Sequence, residues 1–335
     1  MDELLTLLSN QHYITGEILC ARLGITRAAV WKRMEKLREE GYSIVAAGKR
    51  GYQLASLPDC LLPGYIMQDV RTEWAGRGTL RYERTVTSTN TVLKEMAYAG
   101  VPAGSLALCE LQTVGKGRLM RSWDACEGEN LLQSLLLRPS LPVEQAQLCT
   151  LAAATAAAQA IEEIVPGLRT GVKWPNDIVI NGKKCVGILS ELSADMDGIR
   201  FIIMGVGINV NQQSFTGELA AKATSLRLEQ QALPEARKDE PLAIDRRALL
   251  CAYLTHMEAA MNALEKEGLP GIMGSYKAHS VTLGARVHVL GVDTSFTGMA
   301  QDIDETGALL VEDDDGLMHR VLSGDVSVRG VMGYA

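Results

Sequence analysis

The segment Lys173-Trp174-Pro175-Asn176-Asp177-Ile178-Val179-Ile180-Asn181-Gly182-Lys183-Lys184-Cys185-Val186-Gly187-Ile188-Leu189 decides the fold of this chain. Two apolar runs rich in β-branched residues flank an Asn-Gly pair, the strongest short-range hairpin signal. Such a hairpin holds Asn176, Asp177 and Lys184 on a stiff frame. Downstream, the strand-like Phe201-Ile202-Ile203-Met204 leads into Gly205-Val206-Gly207-Ile208-Asn209-Val210-Asn211. Glycine inside a strand marks close approach to the backbone, read here as approach by a ligand. The amide of Asn209 then reaches a phosphate or a hydrated magnesium ion.

Upstream stands Gly115-Lys116-Gly117-Arg118-Leu119-Met120-Arg121-Ser122-Trp123. Its glycines let backbone N–H groups approach an anion, and Lys116, Arg118 and Arg121 add charge that offsets phosphate oxygens. Trp123 offers a flat ring for stacking. Taken alone, the segment is equally a solvated basic loop. Joined to the hairpin and the glycine-bearing strand, it points to a nucleotide or acyl-phosphate site.

The chain has 335 residues, 47% of them hydrophobic, and a net charge of −7. That length predicts two or three domains with substantial cores. The net charge argues against non-specific coating of nucleic acid. No apolar run is long enough to span a membrane, and the start lacks the pattern of a secretory signal, so a cytoplasmic protein is expected. The seven cysteines are scattered without metal-ligand spacing and read as reduced thiols. No fixed metal site is expected.

The charge is uneven. Residues 20–51 carry eight Lys/Arg against three Asp/Glu, a basic patch on an acidic protein. This end reads as a winged helix-turn-helix. Leu4, Leu5, Leu7 and Leu8 suggest a first helix. Thr15 opens a short second one with Ile18, Leu19 and Leu23 inward, and Gly24 stops it. Thr26 caps a reading helix that runs to about Glu40, with Val30, Trp31, Met34 and Leu37 inward and Gly41 as its stop. Arg22, Thr26, Arg27, Lys32, Arg33 and Lys36 are then available to DNA, with Lys49 and Arg50 at the tip of a hairpin wing. Residues 56–64, with two prolines, read as a linker. Residues 143–164 read as an alanine-rich structural helix, 229–241 as a polar surface loop, and 242–268 as helical. From about 278, short strands (Ser280–Leu290, Phe296–Ile303, Ala308–Glu312, Met318–Leu322 and Val326–Arg329) suggest a small barrel.

Thr87-Ser88-Thr89-Asn90, the 115–123 loop, Lys-Trp-Pro-Asn-Asp, Gly-Ile-Leu-Ser-Glu-Leu at 187–192 and Gly-Val-Gly-Ile-Asn-Val-Asn occur in this order. Together they resemble the biotin–protein ligases. With the N-terminal region, the chain looks like the bifunctional type that also represses biotin genes. The resemblance covers essentially the whole length. It implies an α+β fold: a winged helix-turn-helix over 1–60, a class II synthetase-like mixed sheet with helices over 64–277, and an SH3-like small β-barrel over 278–335.

The resemblance also implies chemistry. ATP and Mg2+ convert biotin to biotinyl-5'-adenylate, and a lysine of a biotin carboxyl carrier protein, from acetyl-CoA carboxylase or a related enzyme, takes the biotin. Ser88, Thr89, Asn90 and Gln112 hold the ureido end of biotin. Lys116, Gly117 and Arg118 close over biotin and its adenylate, and Lys184 stabilises charge at the α-phosphate. Gly115, Arg121, Trp123, Lys173, Asn176 and Asn209 serve the nucleotide, with magnesium near Asn176 and Asn209. The adenylate acts as corepressor and favours a homodimer on operator DNA. The loop departs from the family form Gly-Arg-Gly-Arg-x-Gly-Arg-x-Trp: Lys116 replaces an arginine and loses the bidentate fork, and Met120 replaces a glycine. The usual proline after the tryptophan is also missing. A small-acid-sensing regulator without chemistry, or a lipoate or octanoate ligase of the same fold, are the alternatives.

Overall fold

The computed structural model describes residues 4, 7–8, 12–39, 42–56, 61–118, 121–234, 243–290, 295–323 and 327–330. The chain divides into two compact units, Met1–Cys60 and Leu61–Ala335.

In the first unit, α1 (Gly16–Leu23) begins at Thr15, whose Oγ1 accepts from the Ile18 N–H at 3.4 Å, and ends at Gly24 with φ 64°. α2 (Arg27–Glu39) is capped the same way, the Ala29 N–H donating to Thr26 Oγ1 at 3.3 Å. Val30, Met34 and Leu37 are buried in one stripe. Trp31 is 59% exposed and Ile18 47%, although both were expected inside. Each step along a helix turns the side chain by about 100°, and both residues stand a step away from the buried stripe. A hairpin of β1 (Ser43–Ala46) and β2 (Tyr52–Ser56) forms the wing. It is pinned by Tyr52 pairing with Ile14. A Cβ on Gly51 would stand 2.1 Å from the Ile14 carbonyl oxygen, so only glycine fits that crossing. Gly41, Leu5 and residues 57–60 lie outside the described residues.

The second unit starts earlier than the expected linker allows. Leu61 is fully buried, and Pro63 opens α3 (Pro63–Asp69), where the N–H that proline lacks has no partner to lose. There follow β3 (Leu80–Val86), α4 (Thr89–Tyr98), β4 (Leu106–Gln112), β5 (Asn130–Leu137), α5 (Ala146–Ile164), β6 (Gly171–Lys173), β7 (Asp177–Ile180), β8 (Lys183–Asp195) and β9 (Gly198–Asn209). Next come the short α6 (Leu219–Lys222) and α7 (Leu226–Gln231), the latter running into the first residues of the expected polar loop, then α8 (Arg246–Glu267) and α9 (Pro270–His279). The strands form one sheet in the order β3-β4-β5-β9-β8-β7-β6. β3 and β4 pair in parallel, the other neighbours antiparallel. α5 and α8 pack together on one face, and α4 packs on the other. Ala152–Ala154 and Ala156–Ala158 have no exposed surface. Their small side chains let the two long helices approach closely.

The chain ends in β10 (Arg286–Leu290), β11 (Ser295–Ile303), β12 (Leu309–Asp313), β13 (Met318–Val321) and β14 (Ser327–Gly330), ordered β13-β12-β11-β10-β14. Among the described residues this is an open antiparallel sheet rather than a closed barrel. Residues 280–285 do not extend β10, because the Val281 N–H donates to the Val172 oxygen at 3.0 Å and docks this segment on β6. Trp174 joins the two sheets. It is 2% exposed, its N–H donates to Thr282 Oγ1 at 2.9 Å, and its Nε1 donates to the Gly307 oxygen at 3.2 Å. Trp174→Ala is expected to destabilise the fold by roughly 3–5 kcal/mol. A urea-unfolding midpoint unchanged from the wild type would show that the indole does not hold the sheets together.

Candidate active site

The β7–β8 hairpin turns at Asn181 and Gly182, whose φ values of 49° and 74° suit a turn needing two left-handed residues. Asp177 opens β7. A bulge beside Val179 sets the register of Lys184 on β8. Lys184 Nζ lies 2.7 Å from Asp177 Oδ1 and 5.5 Å from the centre of the Trp123 ring. The ammonium is thus held between a carboxylate and an indole face.

Three strands present their residues in rows. Ser134, Gly205 and Leu189 are in register across β5, β9 and β8, and Leu132, Gly207 and Gly187 form the next row. A Cβ on Gly205 would stand 2.2 Å from Asn90 Oδ1. A Cβ on Gly207 or Gly187 would stand 2.8 or 2.6 Å from the Trp123 indole. The strand glycines, expected to admit a ligand, instead admit the protein's own side chains. Trp123 Nε1 is buried with no hydrogen-bond partner among the described residues.

At the start of α4, the Thr89 N–H donates to Gln112 Oε1 at 2.9 Å. The basic loop folds back on itself: the Trp123 N–H donates to the Gly115 oxygen at 3.0 Å, and the Gly117 N–H to the Arg121 oxygen at 2.7 Å. Leu119 and Met120 lie outside the described residues. Arg118 donates to Asn176 Oδ1 at 3.0 Å, and Asn176 Nδ2 donates to the Ile188 oxygen at 2.8 Å. Burial lowers the pKa of the Arg118 guanidinium, and Asp177 opposes that shift. The group remains a cation. Lys116 Nζ donates to Thr91 Oγ1 at 3.2 Å.

These elements enclose a cavity of about 730 Å³. Ser88, Thr89, Asn90 and Gln112 line one part of it. Lys116, Gly117, Arg118, Arg121, Trp123, Lys173, Asn176, Lys184 and Asn209 also line it. Gly115 is not part of the lining; its backbone is taken up by Trp123. Asn209 Nδ2 donates to the Thr224 oxygen at 3.0 Å, while its Oδ1 is buried without a partner among the described residues. Ser134 and Glu191, to which the sequence alone assigns no role, bond to Asn90 from behind. A lone serine in the apolar run 130–137 was the available signal for the first. Burial pushes the Cys109 and Cys149 thiols up to about 12, which removes them as nucleophiles at neutral pH.

In the first unit, Arg22, Thr26, Lys32, Arg33 and Lys36 are exposed on and beside α2. Arg27 pairs with Glu17 at 3.1 Å. Arg50 stacks over Tyr13, its guanidinium carbon 4.8 Å from the ring centre. The Lys49 side chain lies outside the described residues.

Three family models match: an HTH domain over 1–53, the biotin/lipoate A/B protein ligase family over 82–209, and the biotin protein ligase C-terminal domain over 282–329. The bifunctional ligase/repressor BirA of Bacillus subtilis is 37% identical over 96% of this chain and 95% of its own length. The protein of that name from Bacillus spizizenii is 36% identical over the same shares. A biotin protein ligase from Aquifex aeolicus, solved in complex with biotin and ATP, superposes with a TM-score of 0.63 at 30% identity, over 75% of this chain and 99% of that one. With a helix-turn-helix unit at one end and this cavity at its centre, the chain belongs to the bifunctional ligase/repressor family of biotin protein ligases.

Proposed function

We propose that this chain joins biotin to ATP as biotinyl-5'-adenylate, passes the biotin to a lysine of a biotin carboxyl carrier protein, and represses biotin genes when the adenylate accumulates. The observation that carries the ligase reading is one cavity lined by Thr89 and Gln112 together with Arg118 and Lys184. A polar recognition end and a cationic end in one enclosure suit a substrate with a polar head and a carboxylate tail.

In the first step a biotin carboxylate oxygen attacks the α-phosphorus and pyrophosphate leaves. In the second, the carrier amine attacks the acyl carbon and AMP leaves. Both steps depend on positioning and on neutralising charge. Lys184, steadied by Asp177, takes the charge that grows on the α-phosphate oxygens. Arg118, steadied by Asn176, covers the carboxylate with Gly117 and Lys116, and Arg121 extends the cationic face toward the phosphates. Ser88, Thr89 and Gln112 take the ureido ring. Trp123 flanks the nucleotide and Lys173 orients it. Magnesium enters with ATP as part of the substrate. The unpartnered Asn209 Oδ1 is an oxygen donor of the kind a hydrated magnesium ion uses, while Asn176 Oδ1 already accepts from Arg118.

The domains we assign are 1–60 for DNA, 64–277 for catalysis and 278–335 for the C-terminal sheet. The partners are the carrier protein of acetyl-CoA carboxylase or a related enzyme, operator DNA, and a second copy of the chain when the adenylate is bound. The compartment is the cytoplasm.

Lys184→Ala is expected to fold and to lose adenylate synthesis by roughly 10²-fold or more, as for a lost preorganised donor. Near-normal pyrophosphate release by a folded variant would remove Lys184 from this role. Neutralising Lys32 and Arg33 should weaken operator binding and lower the salt slope by about one unit per lost phosphate contact. Unchanged operator affinity would sink the reading of α2 as the DNA reader. Biotinyl-adenylate should strengthen both dimerisation and operator binding, and DNA should tighten adenylate binding by the same factor. Sedimentation and operator titrations that are indifferent to the adenylate would leave only a constitutive DNA binder.

A further inference from the structure

A chain of side chains runs behind Thr89. Asn90 Nδ2 donates to Glu191 Oε1 at 3.0 Å and to the Leu189 oxygen at 3.3 Å. Lys94 Nζ donates to the other Glu191 oxygen at 3.4 Å. Ser134 Oγ lies 2.6 Å from Asn90 Oδ1 and 2.8 Å from Thr89 Oγ1. The Thr89 hydroxyl also lies 3.3 Å from Gln112 Oε1. Thr89, Asn90 and Ser134 are all buried, so bulk solvent does not compete for the bonds among these three.

Each link admits one placement of its protons. A carboxylate and a carbonyl oxygen only accept, so the Asn90 amide must turn Nδ2 toward Glu191 and Leu189 and Oδ1 toward Ser134. A hydroxyl has one proton, and Asn90 Oδ1 can only accept it, so the Ser134 proton points at Asn90. Ser134 then has none left for Thr89. The Thr89 hydroxyl instead gives its own proton inward to Ser134, because two hydroxyl oxygens 2.8 Å apart need a proton between them, and the cavity meets its lone pair. Gln112 Oε1 is held by the Thr89 N–H, which leaves the two Nε2 protons of Gln112 as donors. This part of the wall therefore offers a fixed acceptor beside a fixed donor.

We infer that Glu191, Asn90 and Ser134 are positioning residues that commit Thr89 to accept. They thereby select a ligand head carrying an N–H beside a carbonyl, a cyclic urea, over an isosteric carbamate with ring oxygen in place of that N–H. This rests on the reading above that the Thr89 end takes the ureido ring of biotin.

The test is calorimetric binding of biotin and of the two carbamate analogues, one for each ureido N–H replaced by oxygen. It uses the full chain as wild type, Ser134→Ala and Glu191→Gln. The wild type is expected to prefer biotin by roughly 10²-fold over the analogue that sets oxygen against Thr89. In Ser134→Ala the Thr89 proton is free to turn outward. In Glu191→Gln, Lys94 holds the oxygen of the new amide and turns its Nε2 toward Asn90, so Asn90 flips at the cost of its longer bond to the Leu189 oxygen and the chain reverses. Both variants should cut the preference to within about 10-fold. An unchanged ratio, with both ligands weakened equally, is what a merely structural role gives, and it would overturn the inference. If Ser134→Ala does not fold, as judged by circular dichroism, Glu191→Gln decides. A wild type that binds biotin without preference over either carbamate also overturns the inference. A wild type that binds no biotin overturns instead the underlying reading of the site.

Discussion

A side chain at Gly205, Gly207 or Gly187 has no place to go, and the site is built around that constraint. Along β9, Ile202, Met204, Val206 and Ile208 enter the core shared with α5 and α8. The alternate residues face α4 and the cavity, as a pleated strand requires. Phe201 and Ile203 pack under α4. Then two glycines in succession strip that face to bare backbone, and Gly187 does the same on β8. Asn90 and Trp123 lie flat on the cleared ground. Because they lie flat, there is a cavity above them, and Lys184 comes to rest over the indole.

The charged groups near the sheet are held by protein partners. Arg246, 1% exposed, meets Glu110 at 2.7 Å and donates to the Asn130 oxygen at 2.9 Å, which ties α8 to β4 and β5. The Tyr82 hydroxyl donates to the other Glu110 oxygen at 3.2 Å. Lys184 with Asp177 and Arg118 with Asn176 follow the same pattern at the cavity wall. A buried charge keeps its geometry only when its hydrogen bonds are satisfied. Cations fixed in this way need little reorganisation when negative charge develops beside them.

Much of this was legible in the sequence because its signals are local. Asn181-Gly182 names its own turn, Thr15 and Thr26 name their helix starts, and Gly24 a helix end. What escaped depends on distant pairing or on small rotations. The registers of β5, β9 and β8 join residues far apart in the chain. Gly205 and Gly207 therefore stand out in the sequence but the side chains that need them do not, and neither Ser134 nor Glu191 carries a local mark of its role. Trp31 and Ile18 read as buried because an apolar residue one step off a stripe looks, in sequence, like part of it. Residues 280–285 have strand-like composition, but the free edge of β6 claims the segment through Val281. Pro63 sits in a stretch that reads as linker, yet proline is also a favoured first residue of a helix.

The most direct measurement is biotin affinity in Gly205→Ala beside Gly274→Ala. Gly274 lies in α9 with no atom within 4 Å of an added Cβ, whereas Gly205 has Asn90 at 2.2 Å. Both variants should fold. Gly274→Ala should bind biotin as the wild type does, and Gly205→Ala should bind at least roughly 10-fold more weakly, because its methyl displaces a buried amide from its hydrogen bonds. Equal biotin affinity in the two folded variants would contradict the account.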